Sequence, residues 1–112
     1  MNRRFETISF LSDYGLADEF VGVCTAVVRD LAPHVSVVDL THSIPPFDVR
    51  AGALALARST AYLPEGVILA VVDPGVGTDR KAIAVEVAEG AGVFVAPDLS
   101  LIHISEPTRQ VL

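Results

Sequence analysis

Tryptophan is absent, cysteine and methionine occur once each, and aromatic residues make up 6% of the 112 positions. A lone Cys24 has no partner for a disulfide within the chain, which excludes a disulfide scaffold and agrees with a reducing compartment. Basic residues are scarce as well: eight Lys and Arg stand against fourteen Asp and Glu, for a net charge of −6. The longest basic run is Arg3-Arg4, so the electrostatic footprint of a nucleic-acid or anionic-lipid binder is missing. A cationic small molecule fits this balance better. Mean hydropathy is high, +0.50, yet charges interrupt every apolar stretch well short of the ~18 residues a membrane helix needs. Met1 to Arg4 could mimic the basic start of a signal peptide, but Glu6 and Asp13 bracket only a short apolar segment and no small-residue cleavage site follows. The expectation is a cytoplasmic protein. No Walker sequence, Cys-x-x-Cys pair or His-Glu-x-x-His occurs and the three histidines are scattered, so no metal is expected.

What the chain has is apolar material, 51% of its residues, enough for one core and too little length for two domains. Folding at this size hides roughly 65% of the unfolded surface, which leaves room for subunit contacts. Residues 8–11 form a short apolar run ending at Ser12-Asp13-Tyr14-Gly15, a strand followed by a sharp turn. From Asp18 the residues Phe20, Val21, Cys24, Val27, Val28 and Leu31 recur at three- and four-residue steps until Pro33, predicting an amphipathic helix. Residues 35–40 are a second strand, ending at Thr41-His42-Ser43 and the paired Pro45-Pro46. Residues 49–63 predict a second helix. Residues 67–72 are a near-continuous apolar run, as a strand covered on both faces requires. This alternation predicts an α/β fold with a mostly parallel, Rossmann-like sheet flanked by helices. Beyond Asp73 the pattern changes: 81–87 and 92–96 read as strands with no helix between them, and are expected as antiparallel additions at the C-terminal end.

Ligand sites of open α/β sheets lie off the carboxyl ends of the parallel strands. Asp13 follows the first strand, Asp73 the third, and the turn after the second holds His42, Ser43, Phe47 and Asp48. Converging carboxylates beside a hydroxyl and an aromatic suit a polyol or a cation. Gly75-x-Gly77 lacks the third glycine of a dinucleotide loop and precedes a strand, so that reading fails. Asp73 and Arg80 flank a Pro-Gly-x-Gly turn that can bring both side chains to one end of the sheet, where the Arg would hold the carboxylate ionised and the pair could orient a water. The spacing alone favours the plainer alternative, a turn-capping Asp73 and a surface Arg80. Asp13 reads equally well as a turn acid and Asp18 as a helix-dipole acid. Phe47 reads as cover for the sheet edge, His42 as a hydrogen-bonded strand-end histidine, Cys24 as core and Asp39 as a weak candidate for a ribose acid.

Five pieces in order nevertheless resemble one family: Leu11-Ser12-Asp13-Tyr14-Gly15; Asp18-Glu19-Phe20-Val21-Gly22; the stretch from Val38-Asp39-Leu40-Thr41-His42 through Ser43-Ile44-Pro45-Pro46-Phe47-Asp48; Val72-Asp73-Pro74-Gly75-Val76-Gly77; and Val95-Ala96-Pro97-Asp98. They resemble the S-adenosylmethionine (SAM) hydroxide adenosyltransferases, or SAM hydrolases, relatives of the SAM-dependent fluorinase and chlorinase. The resemblance implies an enzyme in which water attacks ribose C5′ of SAM and displaces methionine, leaving adenosine. It implies that Asp13 holds the ribose hydroxyls, that Asp18 lies near the methionine ammonium, and that Phe47 packs by the ribose. Asp73 and Arg80 would belong to an Asp-Arg-His set that positions water, and Asp73 favours hydroxide over halide, because halogenating relatives do not keep this acid. SAM is then the substrate, no separate cofactor is called for, and a homotrimer is expected in which a neighbour's C-terminal domain completes the pocket. The rival readings are a SAM-dependent halogenase and a nucleoside-binding module without catalysis.

The family continues Ala-Pro-Asp-Asn-Gly-Leu-Leu, whereas this chain departs from it after Asp98. Residues 99–109 read as the one-frame translation of a transposon adapter used in sequencing libraries. The expected organisation is therefore a truncated N-terminal SAM-binding domain at 1–98 and a non-native tail at 99–112. Such a fragment would lack the water-activating histidine and the C-terminal domain, and would be inactive by itself.

Overall fold

The computed structural model describes residues 5–72, 83–87, 92–97 and 109–111. Its elements run β1 (Thr7–Ser12), α1 (Phe20–Leu31), β2 (Ser36–Thr41), α2 (Val49–Ser59) with a short 3₁₀ turn (Thr60–Tyr62), β3 (Gly66–Val71), β4 (Ile83–Val87), β5 (Gly92–Ala96) and β6 (Arg109–Val111). They form one sheet in the order β2-β1-β3-β5-β4-β6. The pairs β1–β2, β1–β3 and β3–β5 are parallel, so the α/β core is a four-stranded parallel sheet with helices.

The expectation for residues 92–96 fails here. β5 is the fourth parallel strand beside β3, with Val67 opposite Val93 and Ile68 opposite Phe94. The reason is burial: Phe94 and Ala96 belong to the same apolar cluster as Ile68, Ala70 and Val72, and a place next to β3 makes that core continuous. β4 pairs antiparallel with β5 on its far side, and β6 pairs antiparallel with β4.

The chain crosses from β1 to β2 through α1 and from β2 back past β1 to β3 through α2. Right-handed crossovers in opposite directions put the two helices on opposite faces. The α2 face is the drier one. Gly52, Ala53, Ala55 and Leu56 of α2 are buried, and the first three, being small, let the helix lie close against Leu11, Ile68, Ala70 and Phe94. Asp48 starts α2 by accepting the Ala51 N–H at 3.0 Å, an N-cap bond.

On α1 only Val21 is buried, with Cys24, Thr25 and Val28 half-buried. Phe20, Val23, Val27 and Leu31 are exposed. The predicted helix is present, but its apolar residues divide between a sheet-facing side and an outward stripe at three- and four-residue spacing. No helix among the described residues is long and apolar enough to cross a membrane.

Candidate functional site

The strand order reverses between β1 and β3, because the chain leaves β1 to one side for β2 and then returns past it to the other side for β3. In doubly wound sheets the crevice at the carboxyl ends of the strands flanking that reversal receives ligands. Asp13 stands there: it follows β1 directly, and its N–H donates to the carbonyl of Val71 at the end of β3 at 3.2 Å. Its carboxylate reaches across to the β2–α2 loop, where Oδ2 accepts the Phe47 N–H at 2.7 Å.

Phe47 has φ 66°, the left-handed region that a bulky residue rarely enters. The surrounding bonds hold it there. Asp48 N–H donates to the Pro45 carbonyl at 3.0 Å and Val49 N–H to the Phe47 carbonyl at 3.1 Å, while the Asp13 carboxylate fixes the N–H of Phe47 itself. Strain of this kind, about 1–3 kcal/mol, persists where the surroundings over-determine it and clusters at functional sites. Phe47 is 55% exposed, so core packing does not explain the conformation.

The two loops are joined again close by. Gly15, at φ 78°, donates its N–H to the His42 carbonyl at 2.7 Å. The imidazole of His42 lies at 2.6 Å from Ser12 Oγ through Nδ1 and at 2.7 Å from Asp39 Oδ1 through Nε2. Ser12 Oγ also accepts the Tyr14 N–H at 3.2 Å. An edge-to-face line of rings runs from His42 through Phe10 and Tyr14 to Phe20 at the start of α1, with centroids 4.6, 6.4 and 4.7 Å apart.

Of the residues expected at the site, Asp13 and Phe47 are therefore in direct contact. Asp18 lies at the far end of the same β1–α1 loop, exposed, with Oδ1 accepting the Phe20 N–H at 3.0 Å, so it shapes the entry into α1. Asp73 and Arg80 lie outside the described residues. The sequence alone does not reveal Ser12 and Asp39 as a pair held by His42; the spacing Asp39-x-x-His42 reads as opposite faces of a regular strand and hides their meeting.

What fold and loops define together is a doubly wound α/β domain with an acidic residue, Asp13, at its switch point. Residues 8–110 match the family model described as SAM hydroxide adenosyltransferase N-terminal domain, and the chain belongs to that family. It is 56% identical over 95 residues to an (R)-S-adenosyl-L-methionine hydrolase of Salinispora tropica, covering 85% of this chain and 36% of the relative. It is 50% identical over 107 residues to the protein of that name from Thermus thermophilus, covering 92% and 41%. A fluorinase of Nocardia brasiliensis is 32% identical over 123 residues, covering 90% and 41%. Among solved structures, a conserved hypothetical protein from Thermus thermophilus superposes with a TM-score of 0.80 at 47% identity, covering 95% of this chain and 44% of its own. The chain thus spans well under half the length of these relatives.

Proposed function

We propose that the full-length protein to which this domain belongs hydrolyses SAM. Water attacks ribose C5′, the C5′–S bond breaks with its electron pair going to sulfur, and the sulfonium leaves as the neutral thioether of methionine. Adenosine is the other product, and the proton from water passes to base or solvent. A neutral leaving group needs no general acid, so the site has to supply an aligned nucleophile and a dry pocket.

The observation that carries this reading is the Asp13–Phe47 contact at the switch point, in a chain 50–56% identical to proteins named SAM hydrolases and 32% identical to a fluorinase. Oδ2 of Asp13 takes the Phe47 N–H, which brings a carboxylate able to accept from ribose hydroxyls to the loop that carries an aromatic residue. Asp18 serves the methionine ammonium, and Asp73 steadied by Arg80 orients the attacking water. An Arg-paired carboxylate is a weak base, so proton removal is shared with a histidine of the full-length enzyme. SAM is substrate, and no separate cofactor is invoked.

The full-length protein works as a homotrimer, with the site closed by a neighbouring subunit. The outward stripe of Phe20, Val23, Val27 and Leu31 supports such contacts. Its place is the cytoplasm, a reading supported by the lone thiol of Cys24.

The test is incubation of the full-length protein with SAM in fluoride-free buffer, with and without chloride. Adenosine and methionine in equal amounts are expected under both conditions. A chlorinated nucleoside that depends on chloride would replace the reading by a halogenase, and binding of adenosine without product would replace it by a nucleoside-binding module.

A further inference from the structure

His42 is nearly fully buried, with a side-chain exposure of 2%, and both ring nitrogens are bonded. An ionised carboxylate can only accept, so Nε2 carries a hydrogen toward Asp39; in the neutral ring Nδ1 then accepts the hydroxyl hydrogen of Ser12. Ser12, His42 and Asp39 are the residue types of a hydrolytic triad, but the ring is turned the other way, with Nδ1 on the serine and Nε2 on the acid. Ser12 is also wholly buried and its oxygen receives the Tyr14 N–H. No electrophile can reach it. The group has a different use.

A break in strand register makes it possible. Phe10 pairs with Asp39, but Leu11 pairs with Thr41, so Leu40 is an extra residue in β2. In a regular strand Asp39 and His42, three apart, would point to opposite faces. The extra residue restores their agreement, so that Asp39 shares the face of Phe10 and His42 the next position on that face, that of Ser12. Bulges of this kind re-aim side chains and are over-represented beside active sites.

We infer that Asp39, His42 and Ser12 form a positioning relay that holds the Asp13 carboxylate in register with Phe47. The relay grips both loops where they leave the sheet: Ser12 precedes Asp13, and His42 opens the turn that carries Phe47. The Gly15 to His42 backbone bond ties the same loops from the other side. Asp39, its side chain 54% exposed, acts on the ligand only through this chain of bonds. The inference depends on the SAM reading for its kinetic consequence and is independent of it for its structural one.

The test uses the full-length protein and the variant Asp39→Asn, whose exposed position leaves packing undisturbed, with Ser12→Ala as a second variant. Hydrogen exchange followed by mass spectrometry is read on peptides covering Gly15 and Phe47 and on peptides from β1 and β3. Both variants are expected to exchange at least tenfold faster in the two loops, with the strands unchanged. In steady-state assays KM for SAM rises at least fivefold while kcat stays within twofold. Unchanged loop exchange, or acceleration spread through β1 and β3, would overturn the relay, as would a faster loop in an active enzyme whose KM does not move. If the wild-type protein does not cleave SAM, the proposed activity fails and exchange alone decides the relay.

Discussion

The Asp13 carboxylate accepts the backbone N–H of Phe47 at 2.7 Å across 34 residues of sequence, so the acid expected to hold a ribose is also the anchor of the aromatic expected to pack against it. Replacement by Asn removes the charge from both tasks. A hydrogen bond to a charged group contributes about 1.5–3 kcal/mol, and Asp13→Asn in the full-length enzyme is expected to raise KM for SAM about ten- to hundredfold at roughly tenfold per 1.4 kcal/mol. Adenosine affinity, measured by calorimetry, should fall in parallel. Unchanged KM and adenosine affinity would remove Asp13 from the pocket.

Phe47 allows function and stability to be separated. The left-handed backbone costs a side-chain-bearing residue about 1–2 kcal/mol that glycine does not incur. Phe47→Gly should therefore be about 1 kcal/mol more stable than Phe47→Ala in denaturant titrations, although both lose the ring and both bind SAM more weakly. Equal stabilities would mean that the backbone relaxes once the side chain is gone.

The two Phe47 features differ in how far they can be read from sequence. Its place beside two prolines and ahead of an N-cap aspartate marks a loop, but its positive φ follows from bonds made by a residue 34 positions away. The α/β alternation is legible because each segment carries its own period, and the loops bearing Asp13 and Phe47 follow from strand ends. The direction of β5 is not, because 92–96 looks the same whether its neighbour runs with it or against it; only the shared core with Ile68 and Ala70 decides. The His42 relay is hidden by the extra residue at Leu40, which inverts the facing that a period of two predicts.

Gly66 begins β3 at φ 155°. A Cβ built there would lie 2.4 Å from the backbone oxygen of Thr7 and 3.2 Å from its carbonyl carbon, and because the obstacle is main chain, β1 and β3 would have to part. Gly66→Ala should cost about 2 kcal/mol or more, seen as a lower denaturation midpoint. An unshifted midpoint would show that the strand ends adapt freely.

Residues 99–109 carry the adapter-like stretch, and the β6 segment at Arg109–Val111 pairs with β4 at the outer edge of the sheet. Edge strands accept almost any partner of suitable backbone, since their bonds are main-chain bonds, so pairing there does not establish a native segment. Resequencing the locus from intact DNA is expected to give Asn-Gly-Leu-Leu after Asp98. Recovery of codons for residues 99–109 from the genome would show the tail to be native.

The last prediction concerns the nucleophile. With a sulfonium leaving as a neutral thioether, the role proposed for the Asp73 carboxylate is to align water and to share in proton removal, neither of which is needed to bind SAM. Asp73→Asn in the full-length enzyme should therefore lower kcat by about 10²-fold, the low end of the range of a positioned base, because an Arg-paired carboxylate is a weak base, with SAM affinity nearly unchanged. The opposite pattern is expected for Asp13→Asn, so the two variants measured side by side separate the group that holds the sugar from the group that directs the attack on it. Unaltered turnover in Asp73→Asn would end the assignment and shift water activation to other residues of the full-length chain.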